Sequence, residues 1–200
     1  MALGTYAQLQ TAIAGWLSRN DLTAAIPDFI RLAEARFNRE LRVQDMVTSV
    51  TDVFASAQVE KPDDFEQVSV FRLATSPVAV LTPIDAAEGY RLYSATIGQP
   101  RFYTIEGGDL TVFPTPGGQT YTLSYFAKVP ALTTSNTVNW LLTRAPDLYL
   151  FASLVEAEPY LLNEERVPLW EAKYQGGKAS LYAADRRARI HAGPVAARVA

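Results

Sequence analysis

The sequence contains no cysteine and only one histidine, His191, among its 200 residues. Without cysteine the chain can form no disulfide and offers no thiolate ligand. A single histidine cannot supply the paired imidazoles on which most zinc sites and many acid–base sites depend. The composition therefore predicts no metal site, no cofactor and no histidine-based catalysis.

Other marks of catalysis are also missing. There is no Gly-x-Ser-x-Gly nucleophile elbow, and the pairs Gly107-Gly108 and Gly117-Gly118 lack the spacing and the following helix of a phosphate loop. Asp63-Asp64 is the sharpest acidic pair, but it follows Lys61-Pro62, where turn formation explains aspartate. We expect no enzyme and no catalytic residue; a hydrolase with an unmarked carboxylate site stays as an alternative.

Long apolar runs are absent as well. No stretch reaches the roughly 18 apolar residues of a membrane span, and no basic segment followed by an apolar run begins the sequence. We therefore expect a protein without a signal peptide, with no membrane partner, that is made in the cytoplasm of its host cell.

Charge is unevenly distributed along the chain. The formal net charge is −3, yet from Arg166 onward there are seven basic and two acidic residues, so the rest is acidic. An acidic body argues against extended contact with nucleic-acid phosphates. Arg186, Arg187 and Arg189 could dock into an acidic protein groove, or they could simply complement the negative end of a helix.

Apolar residues at spacings of three and four predict helices near 5–18, 23–42, 143–158, and from 163 or 168 to 189. The third helix is apolar nearly all round, because Leu150, Leu154 and Ala157 add a second stripe. Such a helix must be buried on both sides, and we expect the second side to meet another subunit. Arg36 and Glu40, on the polar face of the second helix, are either solvated or part of the same subunit contact.

Between 44 and 128 the period of the sequence changes to two, which predicts short strands joined by tight turns. The segment 82–88 reads as a short helix with Pro83 in its first turn. The predicted class is α+β: a helical bundle of 1–43 and 139–190, an inserted antiparallel sandwich or small barrel of 44–138, and an extended tail of 191–200. Several aromatic residues lie in the β region, as sheet core or as a binding face: Tyr103, Phe113, Tyr121, Tyr125 and Phe126.

Five stretches, in this order, carry a resemblance: YAQLQTAIAGWLSRNDLTAAIPDFIRLAEARFNRELRV, KPDDF, GQPRFYTIEGGDLTVFPTP, YTLSYFAKVPAL and NWLLTRAPDLYLFASLVEAEPYL. Together they resemble the head-to-tail adaptor (connector) proteins of tailed bacteriophages, related to the tail tubular protein A and short-tail adaptor group. The resemblance implies a twelve-copy ring at the head–tail junction of the virion. That ring would lie between the portal protein and a distal tail or nozzle protein, with double-stranded DNA passing through its lumen without specific binding.

The resemblance also implies which residues meet the portal, because the C-terminal segment of this group tends to reach toward it. The expected portal-binding residues are Arg186, Arg187, Arg189, His191, Val195, Arg198 and Val199. We expect this tail to become ordered only when it meets its partner. The alternative is a monomeric carbohydrate- or peptide-binding β-domain that uses the aromatic strands.

Overall fold

The computed structural model describes residues 3–93, 96–161 and 164–191. It consists of two compact units, a helical unit of Met1–Asp45 with Val129–Ala200 and a β unit of Met46–Lys128. Helices lie toward both ends of the sequence and strands in the middle, which confirms the predicted α+β class. The structure assigns 129–138 to the helical unit, whereas the sequence placed this segment with the strands.

The helices of the described residues are numbered in chain order. They are α1 (Tyr6–Leu17), α2 (Ile26–Glu40), α3 (Ala86–Tyr93), α4 (Trp140–Arg144), α5 (Pro146–Tyr160) and α6 (Val167–His191). The α3 helix belongs to the β unit and the others to the helical unit. Short 3-10 turns cover Gln44–Met46 and Glu164–Arg166.

Side-chain caps mark where α1 and α4 begin. Thr5 Oγ1 accepts the Gln8 N–H at 3.3 Å, and the Gln8 side chain in return accepts the Gly4 N–H at 2.8 Å. At the other end of the unit, Asn139 caps α4 by accepting the Leu142 N–H at 2.8 Å. Thr143, where the sequence predicted the third helix to begin, lies inside α4, so a separate short helix precedes α5.

The α5 helix is covered by the chain itself. Leu150, Leu154 and Ala157 are all buried, and α5 packs against α1, α2, α4 and α6. Because these four helices already surround both apolar stripes, the reason for placing a second subunit there no longer holds. The helix also extends to Tyr160, one residue past Pro159, instead of ending before it.

The strands of the β unit form two four-stranded sheets. They are β1 (Val47–Val53), β2 (Gln58–Glu60), β3 (Phe65–Leu73), β4 (Ala79–Val80), β5 (Thr82–Pro83), β6 (Phe102–Glu106), β7 (Asp109–Phe113) and β8 (Thr120–Ala127). The first sheet has the order β1-β8-β3-β4, and the second has the order β2-β7-β6-β5. All pairs are antiparallel except β5 with β6.

One apolar core lies between the two sheets, as expected of a sandwich. It is built from both of them: Phe54, Val59, Phe71, Leu73, Leu81, Leu110, Val112, Tyr121, Leu123 and Tyr125. Tyr103 packs against this core, and Phe113 is buried too. Four of the five aromatic residues singled out from sequence therefore contribute to the interior, which removes the main support for a carbohydrate- or peptide-binding face.

The segment 82–88 differs from its prediction. Thr82 and Ile84 donate their N–H groups to the carbonyls of Arg101 and Tyr103, both at 2.9 Å, so Pro83 lies in strand β5. Helix α3 starts three residues later, after Asp85. Local sequence favours proline in a first helical turn, but pairing with β6 outweighs that preference.

The glycine pair inside α6 marks a close approach between helices. A Cβ atom at Gly177 would lie 2.8 Å from Asp147 Oδ2 and 3.1 Å from Leu148 Cδ2 of α5, whereas one at Gly176 would meet nothing within 4 Å. Two glycines inside a helical pattern predict either a kink or such an approach. The helix continues from Val167 to His191, and the approach to α5 explains the second glycine alone.

We expect opposite outcomes from alanine at the two glycines. Gly176→Ala should stabilise the protein by about 1 kcal/mol, because alanine forms helix better and this site is open. Gly177→Ala should lose that gain or destabilise, because its methyl group displaces Asp147 and Leu148. Thermal unfolding should separate the two variants by at least about 2 °C, and equal shifts would contradict the close approach.

Candidate docking site at the end of the helical unit

The polar face of α2 is mostly covered by the chain's own segments. Glu34 Oε1 accepts the Leu132 N–H at 2.8 Å and the Tyr149 hydroxyl at 3.2 Å. One turn later, Asn38 Oδ1 accepts the Val129 N–H at 2.8 Å. These two side chains therefore bind the backbone of the irregular segment that follows the β unit. Burial raises the pKa of Glu34, against the hydrogen bonds that it accepts.

Two other charges of this face, Arg36 and Glu40, hold α6 against α2. Arg36 donates to Glu40 Oε1 at 2.8 Å and to both oxygens of Glu171, at 2.6 and 2.9 Å. Glu40 Oε2 accepts from the Tyr174 hydroxyl at 2.9 Å and from Lys178 Nζ at 2.7 Å. Burial acts to raise the pKa of Glu40, but hydrogen bonds from Lys178, Arg36 and Tyr174 outweigh it and hold that pKa at about 2.

The same helix fixes the path of the chain after α2 ends. The Tyr182 hydroxyl accepts the Arg42 N–H at 3.0 Å and donates to the Glu40 carbonyl at 2.8 Å. One turn further along α6, buried Asp185 accepts the Gln44 N–H at 2.8 Å. Because α6 satisfies these backbone groups in order, it runs beside 40–44 up to Asp185.

Beyond this contact, the last turns of α6 and the residue Arg42 after α2 contribute a group of arginines, which we call the basic end: Arg42, Arg186, Arg187 and Arg189. Three of them, Arg42, Arg186 and Arg189, line a recess of about 320 Å³ together with Tyr182 and Asp185. Among the described residues that line it, Asp185 is the only carboxylate, and Arg189 pairs with it at 2.6 Å. The recess is therefore rich in guanidinium groups, which bind carboxylates and phosphates well.

The structure brings together only part of the predicted portal-binding set. Arg186, Arg187 and Arg189 lie exposed on the last turns of α6. The side chain of His191 and all of Val195, Arg198 and Val199 lie outside the described residues. Among the predicted subunit contacts, Arg36 and Glu40 are part of the network between α2 and α6.

Sequence reasoning missed Arg42 and Tyr182 as parts of this site. Arg42 stands 144 positions before Arg186, and no local pattern relates the two. The usable signal was the spacing of Tyr174, Leu181 and Asp185 along one face of α6, all of them buried. That face predicts a packing partner, but the sequence alone does not say that the partner is the end of α2.

The residues that the structure describes offer neither a metal site nor a membrane-spanning helix. No group of three or more histidine, cysteine, aspartate or glutamate side chains could hold a metal ion there. Within the same residues, no helix is long and apolar enough to cross a membrane.

The depressed pKa of Glu40 gives an acid-dependent loss of stability. The folded state favours the carboxylate, so its contribution is complete above pH about 4.5 and is lost as the pH falls toward about 2. Glu40→Gln should therefore lower the free energy of unfolding at pH 7, measured by urea titration, by at most about 3 kcal/mol. The difference from wild type should be smaller at pH 3. The exposed residue Glu165 offers the control, Glu165→Gln; a difference for Glu40→Gln that does not depend on pH would contradict the network.

Comparison with known families connects this architecture to a biological role. A family model described as SU10 adaptor protein matches residues 4–198, which takes in both units and the basic end. Comparison with curated proteins finds no matching sequence. The match confirms the resemblance to phage head-to-tail adaptors, which are structural proteins of the virion and not enzymes. The chain therefore belongs to the SU10 adaptor protein family.

Proposed function

We propose that the protein forms the ring that joins the portal to the tail and lines the channel through which DNA leaves the head. The family match over 4–198 carries this proposal, because the matched range includes every helix and strand that the structure describes. A ring of about twelve copies is what the resemblance to connector proteins implies. Such a ring needs two different, complementary surfaces on each copy.

The basic end is the surface that we assign to the portal. It gathers four arginines in a chain whose net charge is −3, so its charge contrasts with the rest of the protein. Exposed arginines suit bidentate contact with carboxylates. The partner surface is then an acidic groove or helix of the portal ring, reached by the exposed last turns of α6 and by the residues that follow them.

The β unit has the opposite character. It carries nine acidic and five basic residues. An acidic surface repels DNA phosphates, so DNA would slide through a lumen lined by it without adhering. We assign the β unit to the side of the ring that meets the distal tail or nozzle protein. A lumen face that carried mostly lysine and arginine would contradict the assignment to the channel.

The native mass of the protein, alone and mixed with purified portal rings of the phage that encodes it, tests the adaptor role directly. Incorporation of several copies per portal ring supports it, whether or not the free protein is monomeric. A chain that stays monomeric and binds no portal would refute it. That outcome would favour an isolated β-domain with helices.

We expect charge reversal at the basic end to abolish attachment to the portal. Arg186→Glu with Arg187→Glu changes the charge by four units at exposed positions, so the fold should be retained. A pull-down on portal rings measures the loss. Arg31→Glu with Lys173→Glu, at exposed sites elsewhere in the helical unit, makes the same change in total charge and should leave binding intact. Equal loss in both double variants would mean that only total charge matters.

Removal of the residues after Arg189 tests the tail separately. We expect the shortened chain to unfold at nearly the same temperature as the full chain, because the network of α2 and α6 ends at Asp185. Its attachment to portal rings should be lost. Retained attachment would show that the basic end suffices, and an unfolded product would show that the tail supports the fold.

A further inference from the structure

The first sheet of the β unit ends in a long strand with one open edge. Strand β1, seven residues long, pairs only with β8 in the described residues, and its positions 48–53 are exposed. It contains no proline and no lysine, the residues that usually protect such edges, and Asp52 is its only charge. An open edge of this kind is a template for pairing with another strand.

The opposite edge of the same sheet is also open. Among the residues that the structure describes, strand β4 pairs with β3 alone; Val80 within it and Val78 just before it are each 57% exposed. Strand directions alternate across the sheet, because β1 with β8, β8 with β3, and β3 with β4 are all antiparallel. Strand β4 therefore runs antiparallel to β1. A second copy placed alongside in the same orientation would present its β4 as an antiparallel partner.

The two edges also differ in charge. A groove of about 240 Å³ beside β1 and β2 includes Asp52 and Glu60 among its lining residues, and no basic residue. On the β4 and β5 side, Arg72 of β3 and Arg101, just before β6, are exposed. An acidic edge and a basic edge attract each other when copies follow one another in a ring, whereas two like edges repel.

We propose that the β units of neighbouring copies join edge to edge, with β1 of one copy pairing with β4 of the next. The first sheet then continues around the assembly, and this contact is one that closes the ring. The inference rests on the proposed ring, and it names the surfaces by which copies meet. Registers place Thr51, Thr122, Arg72 and Val80 in one row across the sheet, so Thr51 of one copy would lie near Val80 of the next.

Disulfide trapping tests this contact without background, because the natural chain contains no cysteine. Thr51→Cys combined with Val80→Cys should give a ladder of dimers, trimers and larger species after oxidation in portal-bound assemblies. Within one copy the two positions lie three strand spacings apart, about 14 Å. That distance exceeds the limit of about 7 Å for a disulfide. Any cross-link therefore joins different copies.

The outcomes separate the contact from the ring itself. A ladder from the double variant, with no dimer from either single variant, supports pairing of β1 with β4. Dimers from Thr51→Cys alone would show that like edges meet, which overturns the proposal. A second double variant, Val53→Cys with Val80→Cys, tests a neighbouring register. If both double variants assemble on the portal and neither forms cross-links, the contact is overturned and the adaptor role stays intact. A chain that does not assemble on the portal overturns both.

A lysine at the edge gives a second, independent measure. Val53→Lys places a charge on the outer face of β1, and Val70→Lys places the same charge on the outer face of the inner strand β3. The two valines are 51% and 40% exposed, so both variants should fold. We expect only Val53→Lys to raise the concentration for half-assembly, by about tenfold or more. Equal effects of the two variants would overturn the assignment to the β1 edge.

Discussion

Two polar side chains of α2, Asn38 and the buried Glu34, hold the segment by which the chain returns to the helical unit. The chain leaves this unit after Asp45 and returns at Val129, and the returning segment has no helix or strand of its own to satisfy its backbone. Glu34 accepts the Leu132 N–H and the Tyr149 hydroxyl, while Asn38 accepts the Val129 N–H. Because an unpaired N–H in the interior is costly, the packing of α5 and of the returning segment against α2 depends on these two side chains.

The sequence predicted the elements better than it predicted their partners. The helix periods and the change to a period of two after residue 44 are local signals, and the structure has helices and strands in these regions. The polar face of α2 looked solvated because its partners are far away in the chain. Pro83 was misread for the same reason, since β6 begins about twenty residues after it. Local preference loses wherever a distant backbone or side chain satisfies the same groups.

The candidate site shows a similar division. The arginines of α6 stand out in an acidic sequence, and composition alone was enough to single them out. Their arrangement was not readable, because Tyr182 and Asp185 hold the chain after α2 and thereby bring Arg42 to them. Leu150, Leu154 and Ala157, for which another subunit was expected, are buried by helices of their own chain. An all-apolar helix indicates burial, but it does not say whether its own chain or another copy provides it.

The insertion also sets an order of events during synthesis. Contacts between α2 and α6 join residues 134 to 142 positions apart, whereas every strand pairing of the β unit lies within Met46–Lys128. The β unit can therefore fold while the ribosome is still adding α4 to α6. Until α5 has been made, the apolar faces of α1 and α2 that pack against it stay exposed to solvent. Interactions at such long separation are slow to form, so the newly made helical pair is the part of the chain most in need of protection from aggregation.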